Sequence, residues 1–335
     1  MSRSLRASEY RQDALSGDWV VVSPERSGRP DEFREVPLPR REGPCPFCAG
    51  NEPETPPAVA TYPPGGKPWQ VRVVPNKFPA VEDTSAGRSE PCASPEGLFV
   101  SRPGIGEHQV IIEASEHLVS VTELPDATLD SMIQAYRDRL STLAAGGRWQ
   151  YAQVFKNVGA AAGSSIEHAH SQLVALPYIP RRISTELERS ACYYNRYGKH
   201  LLAELVEQEL AAGERVVATT SDFIAVCPFA SRFPYETWIL PRRRQARFEA
   251  MAAGPAKEFA RLLRDVIARL ERTLGRPAYN YLLHTAPLDG SGDEHYHWHV
   301  ELFPRITKAA GFEWATGYHI NPVAPEQAAA SLRAA

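Results

Sequence analysis

His168, His170 and Gln172 stand at alternate positions, and the apolar run Leu173 to Leu176 follows them. In an extended strand successive side chains point to opposite faces. This spacing therefore puts two imidazoles and a carboxamide on one side, with Ala169 and Ser171 on the other. Just upstream, Asn157 to Ser165 is a loop of small residues, of the kind whose backbone N–H groups can approach a phosphate. A phosphate cradle feeding imidazoles on a rigid strand points to phosphoryl or nucleotidyl transfer through histidine. Neutral imidazole is a competent nucleophile near pH 7, its reference pKa being about 6.5. On this reading His170 attacks through one ring nitrogen while the other donates to a carbonyl and fixes the tautomer. Gln172 donates to a non-bridging phosphate oxygen as charge shifts in the transition state.

Two further constellations suggest metal ions. Cys45-Pro-Phe-Cys48 reads as half a zinc site or as a redox pair. Its Pro/Gly-rich setting lacks the strand–helix context of a redox pair, so the metal reading is preferred. The other ligands must then come from a distance, with His168 and His117 as candidates. In the second half, His284, His295, His297, His299 and Glu301 fall within eighteen positions. His299 and Glu301 share a strand face, His284 ends a candidate neighbouring strand, and Glu186 or Glu188 can complete a nitrogen–oxygen shell suited to zinc or iron. A structural metal is preferred there over a second catalytic centre. Arg26 and Arg29, three apart in a Gly/Pro turn, suit phosphate clamping by planar guanidinium groups. Arg242 to Arg244 read as a solvated face.

The elements that must position these residues follow from composition and periodicity. A chain of 335 residues with 43% apolar and 23% charged residues buries a large core. A net charge of −3 gives no basic field for a nucleic acid polymer but leaves room for a small charged ligand. The N-terminus has no apolar segment of signal length and no run is long enough to span a bilayer, so the expectation is a cytoplasmic protein without membrane partners. Five cysteines, an odd number, fit metal binding better than a disulfide framework. In the first hundred residues Trp19 to Val22 and Val71, Val73 and Val74 read as strands. Arg40 to Pro44 and Thr61 to Pro68 read as ordered loops, and Gly87 to Pro95 as a mobile surface loop. After that the chain repeats itself. Strand Gln109 to Glu113, a helix from Asp126 closed by Gly146, strand Tyr151 to Lys156 and the His168 strand are matched by Thr237 to Leu240, a helix opened by Pro255 and stopped by Gly275, Tyr279 to Leu283 and His295 to Pro304. The offset from His168 to His295 is 127 (295 − 168), and both segments reach proline nine residues on, at Pro177 and Pro304. Shared order of this kind suggests duplication of a strand–helix–strand–strand unit. Ser184 to Leu210 is a helical stretch interrupted near Asn195 to Gly198.

Taken together these motifs resemble the galactose-1-phosphate uridylyltransferase family, the transferase branch of the histidine-triad superfamily. The resemblance rests on Trp19-Val-Val-Val-Ser-Pro with Arg26 and Arg29, Cys45-Pro-Phe-Cys48-Ala-Gly-Asn-Glu, Val74-Pro-Asn76-Lys-Phe-Pro-Ala, Ser115-Glu-His117, Asn157 to Ser165, His168-Ala-His170-Ser-Gln172 and His284-Thr-Ala-Pro with His299. It implies an α+β protein of two fused histidine-triad-like halves, antiparallel sheets flanked by helices. Residues 1–180 would carry the zinc site and nucleophile, and 181–335 the second metal site. It further implies zinc held by Cys45, Cys48, His117 and His168, and a second metal, zinc or iron, at Glu186, His284 and His299 with Glu301. His170 would carry the nucleotidyl group covalently and Gln172 would stabilise it. Asn157, Gly163 and Ser165 would line the phosphates and Asn76 the nucleoside. Arg26 and Arg29 would reach the phosphates across a homodimer interface. The implied reaction is ping-pong transfer of UMP from UDP-glucose to galactose 1-phosphate. Some residues depart from the best-known members: Ala169 replaces proline, Glu301 a third histidine and Lys77 an acidic residue. Glu313, Trp314 and His319 stand where those enzymes grip the hexose. This tail and the His-Ser-Gln form of the motif also resemble relatives that act on ADP-glucose. An adenylyltransferase or phosphorylase is thus the alternative, and a non-catalytic nucleotide-binding descendant a second one.

Overall fold

The computed structural model describes residues 7–28, 43–66, 68–83 and 98–335. Arg29, Arg40 to Glu42 and the segment Gly87 to Pro95 lie outside the described residues. The chain opens with β1 (Glu9–Gln12) and β2 (Trp19–Val22), then runs through β3 (Ala60–Tyr62), β4 (Val71–Pro75), β5 (Glu107–Ile112), α1 (Asp126–Ala145), β6 (Tyr151–Val158) and β7 (His170–Leu176). Helices α2 (Arg181–Tyr197) and α3 (Leu201–Ala212) lead into β8 (Val216–Thr219), β9 (Phe223–Val226), β10 (Thr237–Pro241), α4 (Ala253–Leu274), β11 (Tyr279–His284) and β12 (His299–Pro304). The tail adds α5 (Gly311–Thr316), β13 (His319–Asn321) and α6 (Pro325–Ala334).

Ten strands form one antiparallel sheet in the order β3-β4-β5-β7-β6-β11-β12-β10-β9-β8. From the centre outward the two halves read β6-β7-β5-β4-β3 and β11-β12-β10-β9-β8, the same order twice. The repeat in the sequence is therefore a repeat in the fold, and the two copies meet where β6 pairs with β11. A smaller sheet, β1-β2-β13, brings the N-terminus against the C-terminal tail.

Helices α1 and α4 connect corresponding strands of the two copies, and each buries one apolar stripe. Leu129, Ile133, Tyr136, Leu140 and Leu143 are buried on α1, and Phe259, Leu263, Val266, Ile267 and Leu270 on α4. Each such side chain contributes about 1.5–3 kcal/mol on burial. Helix α4 stops at Gly275, whose φ of 73° suits glycine and lets its N–H reach Glu271 O. The stripes pack with Val73, Ile111, Val154, Leu173 and Ile239 in one core that spans both halves. The other sheet face carries Val74, Val110 and Ile112 under Phe47 and Trp69. Further along it carries Ile224, Val226, Trp238 and Leu240 under α3. Directly paired residues share a face. Ile112 pairs with His170, Val110 with Gln172 and Trp238 with Glu301, so the chemistry-bearing side chains all lie on the face away from α1 and α4.

Two strand starts differ from the sequence reading. Strand β7 begins at His170 rather than His168, because the Ala169 backbone pairs instead with Leu118 O and Glu113 N, beyond the end of β5. Strand β12 begins at His299. His295 and His297 belong to the preceding turn, where Tyr296 N–H bonds Gly292 O and Trp298 N–H bonds Gln245 O. Among the described residues no helix is long and apolar enough to cross a membrane.

Candidate active site and metal centres

His170 is buried at the edge of the sheet face, its ring edge-on to Phe47 at 5.3 Å. Its Nδ1 lies 2.7 Å from the His168 carbonyl oxygen. A carbonyl only accepts, so Nδ1 carries the proton and the Nε2 lone pair is free. Burial, and next the Lys156 ammonium, push the imidazole below its ordinary pKa, so the ring is neutral at neutral pH. Lys156 projects from β6 toward the helix face and is fully buried. Its Nζ donates to the Glu113 carboxylate and, at 3.0 Å, to the carbonyl oxygen of His170. The other Glu113 oxygen accepts from the Tyr136 hydroxyl at 2.9 Å.

The small-residue loop leaves β6 beside this histidine. Gly159 has φ 80°, and a Cβ there would lie 2.8 Å from the Ala278 Cβ, so only glycine fits. Asn280 on β11 holds the loop from the other half, donating from Nδ2 to Asn157 Oδ1 at 2.8 Å and to Ala162 O at 2.9 Å. Gly163 and Ser165 are exposed at the loop's rim. Gln172 and Asn76 both meet the ring of His108. Arg26 is exposed in the turn after β2, and its guanidinium makes no hydrogen bond or ion pair among the described residues.

Cys45, Cys48, His117 and His168 form one cluster whose candidate ligand atoms lie within 4.8 Å of one another. Nδ1 of His168 is 3.6 Å from each sulfur, and Nδ1 of His117 is 3.5 Å from the Cys48 sulfur. These are three of the six edges a tetrahedron of four ligands would have. Bonds of about 2.3 Å to sulfur and 2.0–2.1 Å to nitrogen set such ligands about 3.5 Å apart. His168 Nε2 donates to Ala114 O at 2.9 Å, which leaves Nδ1 free to ligate. Burial, then Cys45, push the Cys48 thiol up to about 11, so that thiol needs a cation to ionise at neutral pH. Burial takes His168 down to about 4, which keeps it neutral, as a ligand must be. The Ala49 N–H to Ser115 O bond at 2.8 Å fastens the cysteine turn to the His117 turn. The donor set fits a metal ion and is compatible with zinc.

Glu186, His284, His299 and Glu301 form a second cluster, all four buried. The His284 and His299 rings stack at 4.6 Å, and neither Nε2 has a hydrogen-bond partner. His284 Nδ1 lies 3.2 Å from Glu186 Oε2, which also accepts from the Tyr296 hydroxyl at 2.6 Å. Arg182 and Arg232 each meet one oxygen of Glu301 at 2.7 Å. Against the cost of burial, these guanidinium groups hold the Glu301 carboxyl well below the usual range. A His299 nitrogen with no partner, a His284 nitrogen 3.6 Å from a Glu301 oxygen and two ionised carboxylates fit a divalent ion with nitrogen and oxygen ligands. His295 stands apart, packed on Tyr194 at 4.6 Å, and His297 is buried with neither ring nitrogen hydrogen-bonded.

Sequence reasoning missed His108, Asn280, Tyr296, the Lys156–Glu113 pair and the arginines on Glu301. Lys156, a charge amid the apolar strand Tyr151 to Phe155, was the one visible signal among them.

A duplicated α+β sheet that presents a neutral histidine beside a small-residue loop and a Cys/His cluster fits a nucleotidyltransferase. Residues 2–180 match the N-terminal domain of galactose-1-phosphate uridyl transferase and residues 186–334 the C-terminal domain. The chain belongs to that family. It is 33% identical to an ADP-glucose phosphorylase of Arabidopsis thaliana, over 98% of this chain and 93% of that one. It is 29% identical to a galactose-1-phosphate uridylyltransferase of Haemophilus influenzae, over 97% and 93%. The crystal structure of an Arabidopsis thaliana ADP-glucose phosphorylase with bound ADP-glucose superposes with a TM-score of 0.84, at 31% identity, covering 98% of this chain and 99% of that one.

Proposed function

We propose that this chain moves a nucleotidyl group by a ping-pong route through His170, with ADP-glucose as donor and inorganic phosphate as acceptor. The observation that carries the chemistry is the 2.7 Å bond from His170 Nδ1 to the His168 carbonyl, which leaves Nε2 as an unprotonated nucleophile. In the first step Nε2 attacks the α-phosphorus, a nitrogen–phosphorus bond forms and glucose 1-phosphate departs. In the second a phosphate oxygen attacks the same phosphorus, that bond breaks and ADP leaves. Gln172 donates to a non-bridging oxygen in both steps.

The choice of adenine is supported by 33% identity to an ADP-glucose phosphorylase against 29% to a uridylyltransferase. Glu313, Trp314 and His319 in the tail support it as well. UMP transfer from UDP-glucose to galactose 1-phosphate uses the same histidine and is the second reading, favoured by the family that both halves match.

In this proposal Asn76 meets the nucleoside, and Asn157, Gly163 and Ser165 meet the phosphates. Arg26 and Arg29 come from the partner subunit of a homodimer. Residues 1–180 carry the transfer chemistry and 181–335 the second metal. Zinc at Cys45, Cys48, His117 and His168 is structural: when bound it ties the cysteine turn to the entry of β7. Zinc or iron at Glu186, His284, His299 and Glu301 has the same kind of role.

The test is intact-protein mass after brief incubation with ADP-glucose, and separately with UDP-glucose, without acceptor. An AMP-sized gain that disappears on adding phosphate and is absent from His170→Ala supports the proposal. A UMP-sized gain from UDP-glucose alone moves the assignment to the second reading. No adduct with either donor sinks the covalent route and favours a nucleotide-binding descendant.

A further inference from the structure

His108 pairs with Val174 across β5 and β7, which sets it diagonal to Gln172 on the same sheet face. Its Nδ1 accepts the Ala80 backbone N–H at 3.1 Å. A neutral imidazole that accepts at Nδ1 carries its proton on Nε2, and Nε2 lies 2.8 Å from Gln172 Oε1. The Gln172 oxygen is thereby committed as an acceptor. Among the described residues its side chain makes no other hydrogen bond, so the amide hydrogens are left for a ligand. Asn76, beside the same ring, is held by backbone bonds rather than by the imidazole. The Asn76 backbone N–H donates to His108 O at 2.8 Å, Asn76 Oδ1 accepts from Phe78 N–H at 2.9 Å, and Nδ2 rests 3.1 Å from His108 Nε2. Because that ring nitrogen already carries a proton, the Asn76 amide is packed against it rather than bonded to it. Its hydrogens too are left for a ligand.

We propose that His108 is a positioning residue for nucleotidyl transfer: its Nε2–H locks the Gln172 carboxamide with the amide hydrogens toward the phosphate beside His170. The inference rests on the reading of His170 and Gln172 given above. A free carboxamide can turn over about its last torsion and present its oxygen to an anionic phosphate, where it repels instead of donating. A donor fixed behind the oxygen removes that alternative, so no reorganisation is needed when charge shifts in the transition state. The ring is suited to this because it stays neutral. Burial takes its pKa below the ordinary value, against the opposing pull of Gln172.

The experiment measures the rate of adduct formation from ADP-glucose in a single turnover, for the wild type and for variants at His108 and Gln172. His108→Phe keeps a ring but no donor and should be slower by roughly ten- to a hundredfold. His108→Asn, too short to reach Gln172, should match it. His108→Gln places an N–H at the reach of Nε2 and should recover most of the rate. The double variant His108→Phe/Gln172→Ala should be no slower than Gln172→Ala alone, since His108 acts only through that side chain. A merely structural role predicts losses that multiply and no rescue by glutamine; either result overturns the proposal. So does wild-type speed in His108→Phe. If the wild type forms no adduct with ADP-glucose or UDP-glucose, the His170 reading fails and takes this inference with it.

Discussion

The Lys156 ammonium donates to the backbone carbonyl oxygen of His170 at 3.0 Å, from beneath the sheet face on which the His170 ring lies. An ammonium and the Glu113 carboxylate, both fully buried, cost several kcal/mol each to remove from water. Here the lost hydration is replaced by bonds to one another, to Tyr136 and to that carbonyl.

Lys156→Met should therefore cost about 3–5 kcal/mol of stability, because it leaves Glu113 charged, buried and unpaired. Glu113→Gln combined with Lys156→Met removes both charges and keeps a partner for Tyr136, so most of the loss should return. Denaturant unfolding of the two variants against the wild type decides this. If the double variant is as unstable as the single one, the pair does not act as a charge pair.

The cysteine cluster makes a different demand. With Cys48 pushed up to about 11 and the sulfur–nitrogen edges already at 3.5–3.6 Å, the site is arranged for an ion. An ion present at a thousandfold its dissociation constant stabilises the fold by roughly 4 kcal/mol. Cys48→Ser, or prolonged dialysis against a chelator, should lower both metal content and melting temperature. His170→Ala should change neither. Elemental analysis beside calorimetry provides the check, and a Cys48→Ser protein that keeps its full metal content and melting temperature contradicts the ligand set.

The two loop glycines should respond differently. Gly159 has φ 80° and ψ 161° and its added Cβ would press on Ala278. Gly163 has φ 84° and ψ 18°, a left-handed conformation that asparagine also adopts, with only the Asn157 side chain within 4 Å. Gly159→Ala is expected to cost about 1–3 kcal/mol, and Gly163→Asn less than about 1 kcal/mol. Comparable losses for the two, read by thermal unfolding, would contradict the steric argument.

What was legible in the sequence was the local part. The helices α1 and α4 announce themselves through apolar spacing and a glycine stop, and the Cys45–Cys48 turn through its two-residue spacing. The 127-residue offset foretold the duplicated strand order, but not that β6 and β11 join the copies into one sheet, since an edge partner leaves no mark on its neighbour's sequence. The start of β7 was hidden for a similar reason: Ala169 pairs with Leu118 and Glu113, which alternation within one strand cannot reveal. His108 sits in Glu107-His108-Gln109, a run of polar residues at the head of β5 that reads as a solvated strand end. Its meeting with Gln172 and Asn76 depends on three separate segments of chain.

The N-terminal sheet offers the pH-dependent case. Glu326 on α6 accepts from Arg11 of β1 at 2.9 Å and from Arg215 at 3.0 Å. Burial opposes its ionisation, yet the bonds from Arg11 and Arg215 hold its carboxyl below the ordinary value. A carboxyl whose folded pKa is lowered contributes stability that is present above the unfolded value, about 4.5, and is lost as the pH falls through the folded one. Glu326→Gln removes the charge at every pH. The wild type should exceed the variant by about 1.5–3 kcal/mol near neutrality, the range for hydrogen bonds to charged groups, and the gap should close as the pH drops below 4.5. Unfolding free energies measured from pH 7 down to pH 3 give that difference directly. A gap that stays constant, or widens toward acid, would mean that Arg11 and Arg215 gain nothing from the Glu326 charge and that shape alone docks α6 on β1.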